Sequence, residues 1–170
     1  ERIQRATVYV MQTQNIGGRP IITCLGSGTI VHRIGLIATN AHFTVPNSDC
    51  PGDNLVIALN TRPGETPIPT YYAEIAEADV GLDLALLRIT QEMSGRVIEP
   101  NSLSLPSVTL GDSSKVNLDD TIIVMGYPDV NNSSVTSYRG TVRGFIAEPS
   151  GGERSWIKTD ATIPGTMTGG

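Results

Sequence analysis

The sequence lacks long apolar runs and any concentration of basic residues. Its longest apolar stretches, such as IIVMG and GLIA, are far too short to cross a bilayer, so we predict no membrane span. The chain carries 12 Lys and Arg residues against 17 Asp and Glu residues, and these charges are scattered along it. Without a basic stripe, the sequence favours neither a nucleic-acid partner nor an anionic membrane surface.

Cysteine and histidine are scarce as well. The two cysteines, Cys24 and Cys50, allow either one intrachain disulfide or two separate buried thiols, and a bridge is compatible with an oxidising compartment without requiring one. No group of His, Cys, Asp and Glu residues has the spacing of metal ligands, so we predict no metal and no cofactor. The N-terminal stretch ERIQRATVYV lacks a signal-peptide core, so an exported protein is expected here in its mature form.

A helical period is sustained almost nowhere. Instead, 18 glycines and 11 prolines punctuate the chain at short intervals, between runs that alternate or are rich in β-branched residues. Even DLALLRITQEM, the best helical candidate, has flanking residues that favour a strand. Many short strands separated by turn signals predict an all-β sandwich or barrel. The predicted strands are ATVYVM, PIITCLGSGTIV, GLIAT, NLVIALN, YYAEIAEADV, LALLRI, TIIVMGY, TVRGFI and SWIKTDA.

The strands fall into two groups along the chain. Residues 91–110, QEMSGRVIEPNSLSLPSVTL, are polar and contain proline, which suits a connection between two lobes. We therefore predict an N-terminal β lobe over residues 1–95, a C-terminal β lobe over residues 96–170, and a cleft between them.

Two segments of the first lobe contain residues suited to catalysis. The segment GSGTIVHRIGLIATNAHF predicts two strands joined by a turn at HRIG, where His32 is expected to be exposed, and the second strand ends in TNAHF, which contains His42. A histidine just past a strand end can present its imidazole to a cleft, although an isolated histidine is more often a surface or satisfied core residue. In GLDLALLRI, Asp83 precedes an apolar strand and needs a partner, which is either a histidine N–H or the backbone of its own turn.

The third segment is the terminal TDATIPGTMTGG, in which a Gly- and Pro-rich loop puts Thr168 beside two glycines. Taken alone, this loop is only a turn. Acyl transfer needs a hydroxyl, a base to take its proton, a carboxylate to orient the base, and N–H donors for the oxyanion. The three segments together contain all four kinds of group, in order along the chain.

In these motifs the sequence resembles the trypsin-like serine protease superfamily, nearest to its bacterial HtrA-type branch, from about Arg5 to Gly170. The stretch GSGTIV followed by GLIATNAH is similar to that family's histidine motif, and GLDLALLRI is similar to its aspartate motif. LGDSSKVNLDDTIIVMGYP resembles the segment that opens the second barrel, and IKTDATI with the final GG resembles the nucleophile loop. GDS at residues 111–113 is therefore interpreted as a structural turn, with Ser113 not a nucleophile.

The resemblance implies a fold and a set of roles. The fold is two six-stranded antiparallel Greek-key barrels with the active site between them, the second barrel incomplete at Gly170. His42 would be the general base and Asp83 its orienting carboxylate, and Thr168 would occupy the nucleophile position. The backbone N–H groups of Thr166 and Thr168 would form the oxyanion hole. Thr162, six residues before the nucleophile, would form a small, uncharged specificity pocket that disfavours Lys and Arg.

Two departures from the family pattern bear on activity. The family has serine where this chain has Thr168, whose extra methyl group stiffens the side chain and crowds the attacking oxygen. It usually has glycine where this chain has Thr166, and a non-glycine residue resists unusual backbone angles there. Gly165 lies one position before the place where the family pattern has its glycine. We therefore expect a serine-type endopeptidase domain with low or absent activity, or alternatively an inactive pseudoprotease that binds peptides or proteins.

The resemblance also bears on the cysteines and the compartment. Cys24 and Cys50 flank the histidine loop, where vertebrate-type members of the superfamily carry a bridge, so a disulfide that braces the loop is expected. The expected location is secreted or periplasmic, and the expected partner is a polypeptide substrate. The sequence makes no prediction about oligomeric state.

Overall fold

The computed structural model describes residues 2–62, 64–128, 134–148 and 152–164. Every one of the nine predicted strand segments coincides with a strand, so the all-β prediction is confirmed. The sequence did not predict a one-turn helix at the start, α1. The elements are α1 (Arg2–Ala6), β1 (Thr7–Ile16), β2 (Arg19–His32), β3 (Leu36–Thr39), β4 (Asn54–Leu59), β5 (Ile68–Asp79), β6 (Leu84–Glu92), a 3₁₀ turn (Ser113–Lys115), β7 (Thr121–Gly126), β8 (Thr136–Glu148) and β9 (Gly152–Thr159).

The first six strands form a closed antiparallel barrel in the order β1-β2-β3-β6-β5-β4. Alternation explains the strands: in β3 the side chains of Ile37 and Thr39 are buried, and those of their neighbours are only half-buried. Alternate side chains of a strand point to opposite faces, and here one face fills the barrel. Its fully buried interior includes Val8, Val10, Ile30, Ile37, Ile57 and Leu87.

The segment that follows β6 packs along this barrel. The backbone N–H of Leu105 donates to Arg33 O at 2.9 Å, and that of Val108 donates to Ile30 O at 3.0 Å. The side chains of Leu103, Leu105 and Val108 pack against the barrel core. The predicted connection is thus tied to the first barrel well past residue 95. We propose residues 1–95 and 96–170 as the two lobes, although residues past 95 still pack on the first barrel.

The remaining strands form a second, three-stranded antiparallel sheet in the order β7-β8-β9. The resemblance implied six strands for this lobe, and the described residues contain three of them. The sheet begins after the 3₁₀ turn, which is capped by Asp112, whose carboxylate accepts from Ser114 N at 3.0 Å. Ser113 lies in this turn, before β7.

Tyr127, just past β7, joins the second sheet to the barrel. Its backbone N–H donates to Ser27 Oγ at 2.9 Å, and its hydroxyl donates to Thr7 O at 3.3 Å. Its ring packs on that of Tyr9 with 4.9 Å between centroids. Only 2% of Tyr127 is exposed, and this burial raises the pKa of its hydroxyl well above the ordinary value. Tyr127 therefore helps to fix how β7 lies against β1 and β2.

Candidate active site

His42 lies on a short turn that follows β3. The backbone N–H groups of Thr44 and Val45 both donate to Ala41 O, at 3.1 and 2.9 Å, and Thr44 Oγ1 donates to Asn40 O at 2.8 Å. The turn alternates between core and solvent: Ala41 is buried, whereas 54% of the His42 side chain is exposed. The imidazole is thus held at the surface by a firmly packed backbone.

Phe43 anchors the same turn in the core. Its ring lies directly over Gly26 of β2, and a Cβ at that position would be 2.3 Å from Phe43 Cζ. Any larger residue at position 26 would displace the ring, so the close approach needs glycine. The ring also packs edge-on against the His42 imidazole, with 5.5 Å between centroids. The glycine in GSG thereby helps to set the position of His42.

Asp83 lies in the turn between β5 and β6. Its φ is 53°, in the left-handed region, and its backbone N–H donates to Val80 O at 3.3 Å. The Asp79 carboxylate caps the turn by accepting from Leu82 N at 3.0 Å. A non-glycine residue in the left-handed region costs roughly 1 to 3 kcal/mol and persists where its surroundings fix it. Here the conformation turns the carboxylate towards His42.

The structure brings the two predicted residues together. His42 Nδ1 is 2.8 Å from Asp83 Oδ2, and the His42 backbone N–H donates to Asp83 Oδ1, also at 2.8 Å. Because a carboxylate only accepts, Nδ1 carries the proton, which leaves Nε2 of the neutral ring free to accept one. The pair therefore has the chemistry of an oriented general base.

Two asparagines at this site were missed in the sequence. The Asn40 carboxamide donates to Asp83 O at 2.9 Å and to Asp83 Oδ2 at 3.0 Å. Asn47 Nδ2 donates to His42 O at 2.9 Å, and Asn47 Oδ1 accepts from Cys50 N at 3.0 Å. Asn47 had a local signal, since asparagine favours such side-chain-to-backbone turns. Asn40 had none beyond its position two residues before His42.

Cys24 and Cys50 are joined by a disulfide, with 5.5 Å between their Cα atoms. The bridge ties β2 to the far end of the histidine turn. Because Cys50 N donates to Asn47 and Asn47 donates to His42 O, a continuous path of contacts runs from the disulfide to the histidine backbone. The bridge therefore braces the turn that carries the base.

The start of the predicted nucleophile loop is held by Asp160. Its carboxylate accepts from the N–H and the hydroxyl of Thr141, both at 2.7 Å, and from Arg143 Nε at 2.8 Å. The hydroxyl of Thr141, its N–H and then Arg143 lower the pKa of Asp160 to about 2. Thr162, the predicted pocket residue, is exposed two positions later. Thr166 and Thr168 lie outside the described residues.

A pocket of about 280 Å³ lies between the Asp83 turn and β9. Its one cation belongs to Arg154, whose guanidinium donates to Ser114 O at 2.9 Å and stacks on the Phe145 ring at 3.6 Å. Residues next to the His–Asp pair in sequence, Asn40 and Leu82, thus face β9 across this pocket. The pocket is lined by Asn40, Leu82, Leu84, Arg154, Ser155 and Trp156.

The described residues show neither a metal centre nor a membrane-spanning helix. Within 2–62, 64–128, 134–148 and 152–164, no three His, Cys, Asp or Glu side chains are grouped to hold a metal ion. His32 is exposed, as predicted. In this part of the chain no helix has the length and apolar character that crossing a membrane requires.

A closed β-barrel that carries a histidine and an aspartate on facing turns, next to a second β-sheet, defines a protein of the trypsin-like serine protease class. Comparison with known proteins agrees with this class. The chain belongs to the trypsin-like peptidase domain family, whose profile matches residues 26–170. The resemblance stated from the sequence motifs is therefore confirmed.

Its relatives are HtrA-type proteases. Serine protease HTRA1B of Danio rerio is 28% identical over 100% of this chain and 32% of its own length. A relative from Rickettsia prowazekii named as a DegP-like periplasmic serine endoprotease is 30% identical over 94% of this chain and 28% of its own length. The mitochondrial serine protease HTRA2 of Bos taurus is 29% identical over 100% of this chain and 34% of its own length. The chain thus spans about a third of the length of these relatives.

Proposed function

We propose that this chain is a serine-type endopeptidase domain that hydrolyses peptide bonds through an acyl-enzyme. The observation that carries the proposal is the 2.8 Å contact between His42 Nδ1 and Asp83 Oδ2. It leaves His42 Nε2 free to take the proton of an attacking hydroxyl and later to return it to the leaving amine. Asp83 holds the ring in that tautomer and stabilises the imidazolium that forms.

The nucleophile in this proposal is the hydroxyl of Thr168, and the oxyanion would be received by the backbone N–H groups of Thr166 and Thr168. The threonine methyl group restricts the rotamer that brings the oxygen to His42. A misplacement of about 1 Å costs on the order of 100-fold in rate. We therefore propose low or absent turnover for the threonine form.

A second function is favoured by the same two threonines: a pseudoprotease that binds a peptide in the cleft without cleaving it. Under either function the partner is a polypeptide, and Thr162 as the pocket residue suits small apolar side chains over Lys or Arg.

The relatives' names point to the periplasm for one and to mitochondria for another. We propose a secreted or periplasmic location, because the Cys24–Cys50 disulfide suits an oxidising compartment.

The test is hydrolysis of unstructured casein by the chain and by its Thr168→Ser and Thr168→Ala forms. Each form is also assayed with the strands that the resemblance expects after Gly170 appended, and each is treated with a fluorophosphonate probe, which labels an activated hydroxyl. Asp83→Asn in the serine form is the matched control. It keeps the side-chain shape but favours the wrong histidine tautomer, so hydrolysis should fall by about 10⁴-fold.

The outcomes separate the two functions. Cleavage by the serine form, with none by the alanine form, supports the endopeptidase scaffold. Cleavage by the threonine form as well would make Thr168 a working nucleophile and contradict the proposed low turnover. If no form cleaves casein or reacts with the probe, the endopeptidase proposal fails and peptide binding remains to be measured.

A further inference from the structure

The Asn40 side chain donates hydrogen bonds to both the backbone carbonyl and the carboxylate of Asp83. Its carboxamide nitrogen has two N–H groups and two acceptors within reach: Asp83 O at 2.9 Å and Asp83 Oδ2 at 3.0 Å. One side chain therefore holds both the backbone and the carboxylate of the same residue.

The backbone contact bears on the conformation of Asp83. Asp83 adopts a φ of 53°, and its carbonyl oxygen accepts from Asn40 Nδ2 and also from Ala41 N at 3.3 Å. In the left-handed region an aspartate needs such contacts to stay in place. The two hydrogen bonds from Asn40 Nδ2 hold the carbonyl and the carboxylate of Asp83 relative to each other, and this sets the direction in which the carboxylate points.

The carboxylate contact bears on the hydrogen bond to the base. Asp83 Oδ2 accepts from both Asn40 Nδ2 and His42 Nδ1, whereas Asp83 Oδ1 accepts from the His42 backbone N–H. With each oxygen already bonded, the carboxylate cannot rotate without losing a charge-assisted hydrogen bond. Its Oδ2 therefore stays aligned with the imidazole.

We infer that Asn40 is a positioning residue of the active site, which acts on His42 through Asp83. The inference rests on the proposed function for its catalytic meaning, but the coupling between the three side chains is testable without activity. Because Asn40 acts through the orientation of the base, its loss should lower kcat by a larger factor than it changes KM.

The key comparison is between Asn40→Ala and Asn40→Asp. Aspartate has the shape of asparagine, so a residue needed only for packing would tolerate it better than alanine. It would, however, put an acceptor with a negative charge beside two acceptor oxygens of Asp83, and that repulsion should make it worse than alanine. The backbone here is held independently by Thr44 Oγ1, which donates to Asn40 O at 2.8 Å, so both variants are expected to fold.

The control is Asn117→Ala. Asn117 Nδ2 also donates to a backbone carbonyl, that of Lys115 at 3.0 Å, in the exposed turn before β7. This variant loses the same kind of hydrogen bond away from His42. It should leave every readout at the value of the parent chain.

The first readout is the proton NMR resonance of His42 Nδ1–H in the chain with its own Thr168. The sequence has two histidines, and the ring N–H of exposed His32 exchanges with water, so a downfield resonance is assigned to His42. The dispersion of the backbone amide resonances reports folding. A proton held between imidazole and carboxylate resonates far downfield, and it moves upfield or broadens when the carboxylate turns away. The second readout is kcat and KM for casein in the Thr168→Ser background.

We expect the His42 resonance to weaken in Asn40→Ala and to disappear in Asn40→Asp. kcat should fall by about 10- to 100-fold in Asn40→Ala and further in Asn40→Asp. An unchanged resonance and kcat in Asn40→Ala would overturn the inference, and so would an Asn40→Asp variant that matches the parent chain. If no form hydrolyses casein, the proposed function fails. The strength of the His42 Nδ1–H resonance in the parent, Asn40→Ala and Asn40→Asp chains then decides alone whether Asn40 positions the pair.

Discussion

Single residues with unusual surroundings set the geometry of this site. Asp83 takes a left-handed backbone conformation that directs its carboxylate at His42, and Gly26 leaves room for the Phe43 ring beneath the histidine turn. The direction of the Asp83 carboxylate and the position of the Phe43 ring each depend on the conformation or size of one residue. A substitution at Asp83 is therefore expected to act on His42 through the carboxylate, and a substitution at Gly26 is expected to act on it through the Phe43 ring.

The carboxylate of Asp160 gives a residue-scale prediction about pH. Its pKa is lowered from the ordinary 3.8 to about 2, first by Thr141 and then by Arg143. A carboxylate with a lowered pKa in the folded state stabilises the fold above its unfolded value, and this contribution is lost as the pH falls through the folded value. Asp160→Asn should thus be less stable than the parent above about pH 4, and the difference should close towards pH 2.

The measurement is the urea midpoint of the parent and of Asp160→Asn at about pH 6 and about pH 2.5. Asp49→Asn is the control, because Asp49 is exposed and lies outside the Thr141 and Arg143 contacts. A difference of equal size at both pH values would contradict the prediction, since it would mean that the charge of Asp160 is not what stabilises the loop.

At the scale of elements, the histidine turn depends on its connection to β2. The disulfide joins residues 26 positions apart, Cys24 of β2 and Cys50 at the end of the turn. Closing a loop of this size stabilises a protein by about 3 kcal/mol in the chain-entropy model. Because Asn47 links Cys50 to His42 O, the bridge also limits the movement of the base.

We predict that Cys24→Ser combined with Cys50→Ser lowers the free energy of unfolding by about 3 kcal/mol. It should also weaken the His42 Nδ1–H resonance, since the turn is no longer tied to β2. Urea denaturation and proton NMR measure the two effects. Treating the parent chain with a dithiol reductant should reproduce both effects. A double variant with parental stability would show that the bridge does not brace the turn.

At the scale of the whole molecule, the relation between barrel and sheet rests on Tyr127. Its ring, N–H and hydroxyl all contact the first barrel, at Tyr9, Ser27 and Thr7. Tyr127 therefore joins β7 to the barrel through a buried aromatic contact. Loss of this contact should separate the stability of the second sheet from that of the barrel.

Two substitutions of Tyr127 test this prediction by removing the hydrogen bond alone or the hydrogen bond together with the ring. Tyr127→Phe keeps the ring and loses the hydrogen bond to Thr7 O, which should cost about 1 kcal/mol. Tyr127→Ala also loses the ring, which should cost about 3 to 5 kcal/mol. Trp156, the single tryptophan, lies in β9 and reports on the second sheet by fluorescence, whereas circular dichroism reports on all strands.

In the parent chain the two probes should give one coincident unfolding transition. In Tyr127→Ala the fluorescence transition should come at a lower urea concentration than the transition by circular dichroism. Coincident transitions in this variant would mean that other contacts hold the two lobes together.

The sequence by itself determined the strands and the candidate residues. Strand formation follows from local alternation and turn signals, so all nine segments were recognised. His42 and Asp83 were recognised because their motifs resemble, in the same order, the histidine and aspartate motifs of the trypsin-like serine proteases. These properties depend on neighbours along the chain and can be read without a fold.

Only the tertiary structure decided how distant residues meet. His42 and Asp83 are 41 positions apart, and their contact exists because β3 and β6 pair within a closed barrel. The same pairing brings Asn40 to Asp83. The segment after β6, which the sequence predicted as a polar connection, packs on the barrel through backbone hydrogen bonds to Ile30 and Arg33. Such contacts depend on barrel closure and strand register, which no local pattern encodes, and this is why Asn40 was missed in the sequence.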